Sequence, residues 1–356
     1  MDMISFGSVF LELVFGHVPA LPLRGEEIYS DEFAISCGGA VTSATAAAHG
    51  GARAGLCTVL GNDLGSRVVI EHCARAQVDL SPSARVRRRC AGISVVLNFD
   101  GDRAFVSHMP PRPPSEQPEV DRWRAVLRRE RPRWCYLHAG RGVPGFLREA
   151  HELGTRVVLD TSLGDERHRD LVIECVRLAD LFVPNEEELC RLTGAASTSG
   201  AVAVAAGWGT PLVVTRGAAG ALVAGPDGVT QVTAGVRRVT VRDLTGAGDA
   251  FAGAMIAALV SGASLTGAVA AGNAAGSEAV ARLGAAGEVD VPGISTADRT
   301  VGSLFIDQVA QAVSQQAAAA ASAETGRAET GRAETGRADT GRADTGRADS
   351  GKERGE

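Results

Sequence analysis

The sequence predicts an α/β protein built on a parallel sheet with helices on both faces. Three observations predict it. Residues 134–184 alternate short apolar strands with helices, the spacing of a parallel sheet covered on both sides. Residues 86–106 alternate polar and apolar side chains around Asp100-Gly101-Asp102, a hairpin signal. Gly246-Ala247-Gly248 stands between a run read as a strand, Arg238 to Val241, and an alanine-rich helix.

At 356 residues and 45% apolar content, the chain suits one large domain, or a domain with an appendage. A net charge of −6 gives no support for nucleic-acid or anionic-membrane binding, and 4% aromatics disfavours a stacking platform for bases. The seven cysteines are scattered without a Cys-x-x-Cys pair, which points to a reduced, cytoplasmic protein. No basic-then-apolar leader and no apolar run of about 18 residues occurs, so neither export nor a membrane span is expected.

Taken in order, Met3 to Phe6 reads as a buried strand, and Val9 to Phe15 continues apolar except for Glu12. That carboxylate either reaches solvent by alternation or faces a site. Leu23 to Phe33 reads as an exposed strand pair. Cys37-Gly38-Gly39 precedes an alanine-rich helix, Ala40 to His49; paired glycines there allow close approach of a ligand or tight helix packing. Arg53 to Leu60 is a second core strand, and Asp63 an N-cap for a helix over 66–76. After the hairpin, a proline-rich loop from Pro110 to Pro118 returns the chain to the core.

The alternation then runs through strand Trp134 to His138, helix 143–152, strand Arg156 to Asp160, helix 168–178 and strand Leu181 to Pro184. Ligands of such sheets gather at the C-terminal strand ends, where Asp160, Asn185 and Asp243 sit. Asn185-Glu186-Glu187-Glu188 opens a helix whose acids the macrodipole favours. Pro211 to Arg216 is a buried strand, and helices follow over 251–260 and 265–282, the second interrupted by Asn273. Residues 301–322 suit a terminal helix. From Ala323 the unit Ala-Glu/Asp-Thr-Gly-Arg repeats five times with no large apolar residue, so residues 323–356 cannot offset their ordering entropy and are expected to be disordered.

The chemistry gathers at Asp243-Leu244-Thr245-Gly246-Ala247-Gly248-Asp249. The amides of Gly246, Ala247 and Gly248 at a helix start form an anion site. A carboxylate at its edge does not help hold a phosphate, but it can take a proton from an attacking hydroxyl while the amides absorb charge on a transferring phosphoryl group. The bland reading is a tight turn with a first-turn Asp.

Asp-Leu-Thr-Gly-Ala-Gly-Asp-Ala-Phe over 243–251 resembles the C-terminal signature of the ribokinase-like (PfkB) carbohydrate kinases. Gly61-Asn62-Asp63-Leu64-Gly65 and Gly38-Gly39 fit the same family, and the resemblance spans about residues 3–292. It implies a ribokinase-like parallel-sheet sandwich over residues 1–300, with a small β lid from strands at about 9–35 and 86–108. It implies transfer of the γ-phosphoryl of ATP to a hydroxyl of a sugar or similar polyol, with Asp249 as base and Gly246, Ala247 and Gly248 as the anion hole. Glu12, Gly38, Gly39 and Ser43 would meet the acceptor. Glu12 replaces the family's usual Asp and Ser43 its Asn, so the acceptor's identity is not given by the motif. Asn185, Thr215, Gly217 and Asn273 would meet the nucleotide, Glu188 would position hydrated Mg²⁺, and Asp243 would lie beside a monovalent cation such as K⁺. A homodimer through the lid sheet is a further expectation. Two rival readings are a nucleoside kinase of the same family, with Phe10, Phe15 and Phe105 as the nearby aromatics, and a catalytically weak sugar- or nucleotide-binding sensor.

Overall fold

In the computed structural model, which describes residues 1–99, 102–111, 117–162, 168–226, 228–287 and 289, two sheets stand out. The main one is built from β1 (Met3–Phe6), β4 (Ala54–Cys57), β9 (Trp134–His138), β10 (Arg156–Asp160), β11 (Leu181–Phe182), β12 (Leu212–Thr215), β13 (Ala221–Gly225) and β14 (Gly228–Val232). Its order is β14-β13-β12-β11-β10-β9-β1-β4. The strands from β4 to β12 are parallel, and β13 and β14 close one edge antiparallel. The second sheet has the order β3-β2-β7-β8, from β2 (Val9–Gly16), β3 (Glu32–Gly39), β7 (Gly92–Asn98) and β8 (Arg103–His108). The described residues belong to one unit, Met1–Gly293.

Both faces of the main sheet are covered because its strands are apolar on both sides. One face meets Leu127, Phe146, Leu147, Val176 and Leu189 from the helices between β8 and β12. The other meets Phe251, Met255, Ile256 and Val269, from α8 (Ala247–Val260) and α9 (Leu265–Ala279). Small residues in α8 let it lie close to α1 (Ala40–His49): a side chain at Gly253 would strike the Ser43 carbonyl. At Gly272 an added Cβ would lie 2.8 Å from the Phe251 ring.

Strand β9, helix α4 (Val143–Glu152) and strand β10 keep the bounds read from the sequence. Three expectations need correction. Arg238 to Val241 is irregular, with Val239 and Val241 exposed; the sheet already ends at β14, so no ladder partner meets this segment. Of Leu23 to Phe33, only Glu32 and Phe33 enter a strand; Leu23 and Tyr29 are exposed, and their polar bonds run locally to Glu26 and Glu27. Arg53 to Leu60 divides at Thr58, its end forming β5 (Val59–Leu60) paired with β6 (Ala84–Arg85). The remaining helices are α2 (Leu64–Arg75), capped by the Asp63 side chain on Ser66 N–H, then α3 (Gln117–Glu130), α5 (Arg169–Leu178), α6 (Glu186–Thr193) and α7 (Thr198–Ala206). The turn at 100–101, the terminal helix over 301–322 and the repeat tail lie outside the described residues. Among the described residues no helix is long and apolar enough to cross a membrane.

Candidate active site

The C-terminal ends of β9 and β10 and the start of α8 converge on one cleft. Alternation along β9 puts Trp134, Tyr136 and His138 on the same side, and Trp134 and Tyr136 pack with Phe251 and Met255 of α8. Register pairs His138 with Asp160 on β10. Helix α8 begins at Gly246, whose φ of 73° lies in the left-handed region, a conformation that glycine takes without the Cβ penalty. This entry angle carries Asp249, in the first turn, over the sheet edge toward Tyr136.

A buried hydrogen-bonded chain results. The Tyr136 hydroxyl lies 2.6 Å from Asp160 Oδ2 and 2.9 Å from Asp249 Oδ1. Asp160 Oδ1 accepts the Thr161 N–H at 2.7 Å. His138 Nε2 stands 3.8 Å from Asp249 Oδ1 and 3.4 Å from the phenol oxygen, and its Nδ1 lies 3.1 Å from Ser162 Oγ. Ligand atoms of His138, Asp160 and Asp249 fall within 4.8 Å of one another, and the phenol bonds to both carboxylates.

Burial raises the Asp160 carboxyl above its ordinary range, against the pull of His138 and of its hydrogen bonds. Burial and the two carboxylate charges hold the Tyr136 phenol well above its usual value. Desolvation by the surrounding protein, the largest influence, lowers His138, yet its contact with Asp249 and the charges of Asp160, Asp249 and Glu188 raise it to about 9. The contact with Asp249 thus favours the imidazolium form of His138.

Asp249, its side chain 21% exposed, lines a cavity of about 580 Å³ with Gly39, Glu12, Phe10, Phe105 and Trp123 among its walls. Among the described residues, the N–H groups of Gly246, Gly248 and Asp249 carry no bond to a carbonyl of the fold, and that of Ala247 meets only Leu244 O at 3.5 Å. The hydroxyls of Thr245 and Thr42 are buried without a hydrogen-bond partner. Unengaged amides and orphaned hydroxyls beside Gly246 suit an oxygen-rich anion.

Glu12 is buried on β2 and faces this cavity. Its Oε2 accepts the Ala285 N–H at 3.1 Å, and its other carboxylate oxygen lies against Gly38, where a side chain would collide with it. Burial first, then the charges of Asp243 and Asp249, raise Glu12 to about 7. Gly39, at φ 79°, brings its backbone close to the Ser8 carbonyl. Ser43 is not brought to the cavity wall: it is buried in α1, 2.8 Å from Ser5 Oγ and 3.2 Å from Ala40 O.

The residues expected at the nucleotide lie along the same sheet edge. Asn185 and Glu188 form a capping box at the start of α6, each side chain accepting the other's N–H at 2.9 Å. Asn185 also bridges to Thr215 at the end of β12, and Gly217 follows in a tight turn at φ 53° with open space around it. Asn273 is buried and donates to Val232 O and Ala234 O at 3.0 Å each, tying α9 to the end of β14. Asp243 is buried, its two oxygens accepting Thr245 N–H and Gly284 N–H at 2.8 Å.

Sequence reading missed Tyr136 and His138 as site residues and gave Asp160 only a place at the edge. The signal was present: a Tyr and a His two apart at the end of one core strand, and an Asp at the end of the next, share the C-terminal edge where ligands of parallel sheets gather.

Residues 146–291 match the pfkB family of carbohydrate kinases. The chain is similar to a cytidine kinase of Thermococcus kodakarensis, 38% identical over 92 residues, or 26% of this chain and 33% of that one. It is also similar to the mouse ribokinase, 27% identical over 262 residues, 71% of this chain and 80% of the ribokinase. The chain thus spans about a third of the first of these relatives and most of the second. Its fold matches a putative ribokinase II from E. coli in complex with ATP and Mg²⁺, with a TM-score of 0.68 and 21% identity over 80% of this chain and 94% of that one. It also matches the Vibrio cholerae fructokinase with fructose, ADP and calcium bound, with a TM-score of 0.65 and 23% identity over 80% and 95%.

Proposed function

We propose, for a chain whose residues 146–291 belong to the pfkB family of carbohydrate kinases, that it transfers the γ-phosphoryl group of ATP to a hydroxyl of a sugar or similar polyol. The observation that carries this reading is Asp249 at the edge of the cleft, in the same first turn as the Gly246 and Gly248 amides, which among the described residues meet no carbonyl of the fold. The acceptor hydroxyl gives its proton to Asp249 Oδ2, since Oδ1 is taken up by Tyr136. The acceptor oxygen then bonds to the γ-phosphorus, the bond from phosphorus to the bridging oxygen of ADP breaks, and the Gly246, Ala247 and Gly248 amides take up charge on the migrating group. The second sheet, with Glu12 and Gly39 on the cavity wall, would serve as the lid that limits water as a competing acceptor.

Asn185, Thr215 and Gly217 would meet the nucleotide phosphates or ribose, supported by the Asn185 to Thr215 bridge at one sheet edge. Asn273 would act near the base by shaping the 232–234 segment. Mg²⁺ would supply charge neutralisation between phosphates, with Glu188 holding it through water. A K⁺ beside Asp243 would act through the turn that its carboxylate organises. The edge strand β8, with Phe105 and Val106 exposed, is where a homodimer would form.

A second reading, a nucleoside acceptor, is favoured by one observation: Phe10, Phe105 and Trp123 all line the cavity, enough aromatic wall for a base. One experiment tests both. ATP consumption is measured with Mg²⁺ and K⁺ against ribose, fructose and cytidine, for the wild type and Asp249→Asn. The expected loss in the variant is roughly 10²–10⁴, and undiminished turnover would reject Asp249 as the base.

A further inference from the structure

The two oxygen contacts of Tyr136 need more protons than its own hydroxyl supplies. A phenol carries one proton, and at 2.6 Å from one carboxylate oxygen and 2.9 Å from another it can donate along one contact only. If both acids were ionised, the other contact would press bare lone pairs together, in a site where Tyr136 is 1% and Asp160 7% exposed. A second proton must therefore sit on one of the two acids. Their surroundings choose between them. Asp249 is at the cleft edge, 3.8 Å from the His138 imidazole, where a carboxylate is stabilised. Asp160 is buried, and its Oδ1 accepts the Thr161 N–H, leaving Oδ2 to carry a proton.

We infer that Asp160 is a neutral carboxylic acid that donates to the Tyr136 oxygen, and that Tyr136 in turn donates to Asp249, making Tyr136 the positioning residue of the base. This rests on the kinase reading of Asp249, and it extends that reading to two residues outside the glycine motif. The polarity of the chain has a consequence for chemistry. A donor on Oδ1 fixes the carboxylate's rotation and turns Oδ2 to the acceptor. The reverse polarity would present an already protonated Asp249, unable to take a proton. Burial raises Asp160 to about 6, in the direction this arrangement requires, so the neutral acid prevails below that pH. The groups facing Asp249 are Tyr136 and His138 from β9 and Asp160 from β10, with Glu12 of β2 across the cavity.

The test compares the wild type with Tyr136→Phe, Asp160→Asn, Asp160→Ala and Asp249→Asn, by ATP consumption with ribose, fructose or cytidine across pH. Folding of each is checked by its denaturation midpoint. Tyr136→Phe is expected to lower kcat about tenfold to a hundredfold with KM little changed, because the base is misaimed while binding surfaces stay. Its acidic limb should move to higher pH, since the base loses a donor. Asp160→Asn should retain at least about tenfold more activity than Asp160→Ala, because the amide NH₂ can donate to the phenol as the acid does while its carbonyl keeps the Thr161 N–H. An infrared difference between wild type and Asp160→Asn, taken at a pH about one unit below the Asp160 value of about 6, should show a protonated carboxyl band, a readout independent of turnover. A Tyr136→Phe enzyme with wild-type kcat and pH profile, an Asp160→Asn variant as poor as Asp160→Ala, or absence of that band would each overturn the inference. Loss in Asp249→Asn with no effect in Tyr136→Phe would sink this inference alone. Were the wild type inert toward every acceptor, the kinase reading would fall, while the infrared band would still decide where the proton lies.

Discussion

Replacing Gly246 with Ala should damage stability and turnover together, and the size can be worked from the turn. The residue sits at φ 73°, where a side chain costs about 1–2 kcal/mol. The new methyl would lie 2.5 Å from Ala285 Cβ, 2.9 Å from Ala285 Cα and 3.2 Å from Thr42 Cγ2. Ala285 has little room to yield, because its N–H is bonded to Glu12 and the preceding Gly284 N–H to Asp243. Overpacking of this kind adds about 1–3 kcal/mol, so the total is about 2–5 kcal/mol. Gly248 is the internal control: it lies in the helix with nothing within 4 Å of an added Cβ, and Ala there should gain about 0.5–1 kcal/mol from reduced backbone entropy. Urea denaturation of both variants reads the difference as a shift in midpoint at constant slope. Equal midpoints for Gly246→Ala and Gly248→Ala would refute the argument that the turn before α8 is both left-handed and closely packed.

Glu12 makes stability depend on pH. It stays protonated up to about 7 in the folded protein but only to 4.5 when unfolded, so the native state holds more protons between these values. Stability should therefore fall as pH rises through that window, by roughly 3 kcal/mol in all, and level off above it. Glu12→Gln should remove this slope; parallel denaturation profiles of wild type and variant across pH would count against a buried, raised Glu12. Asn273→Ala leaves the Val232 and Ala234 carbonyls without their donor and should cost about 1–3 kcal/mol. A raised KM for ATP with unchanged stability would instead put the amide in direct contact with the nucleotide. Gly253→Ala should cost about 1–3 kcal/mol by driving α8 off the Ser43 carbonyl, and a variant with wild-type melting would contradict that contact.

How far the fold could be read depended on whether local pattern and tertiary environment agreed. Strand β9, helix α4 and strand β10 were legible to the residue because a four-residue apolar core, a Gly142 entry with Pro144 in the first turn, and a second apolar run each point the same way. The Arg238 to Val241 segment misled because Val239 and Val241 carry β propensity, yet a strand exists only where a neighbour offers a ladder. Leu23 to Phe33 misled similarly, its alternation interrupted by local turn bonds. In the site, Asp249 was legible because its glycines and its carboxylate are contiguous. Tyr136 was not, because its partners lie 24 and 113 residues away in sequence. An isolated Tyr in a core strand has no local mark that separates a packed side chain from one whose hydroxyl meets two carboxyl groups.

The same non-locality governs Glu12 and Asp243, two of the other carboxylates singled out by the sequence. Glu12 lies on β2 and Asp243 just before α8, yet consecutive amides of one turn bind them: Gly284 N–H to Asp243 and Ala285 N–H to Glu12. The next amide, Ala286 N–H, bonds Ser36 of β3, while Leu283 packs with Val14, Ala34 and Val96 of the second sheet. One short segment thus ties the second sheet to the loop that presents the Gly246 to Gly248 amides. The added methylene of Glu over Asp then has a structural reason: on β2 it lets Oε2 reach Ala285 N–H, while Gly38 leaves room for the rest of the carboxyl group. A shorter acid on the same backbone would fall short of that amide. The residue that departs from the family pattern on the cavity wall is therefore also a joint between the second sheet and the loop before α8. A substitution of Glu12 thus changes the cavity wall and that joint together.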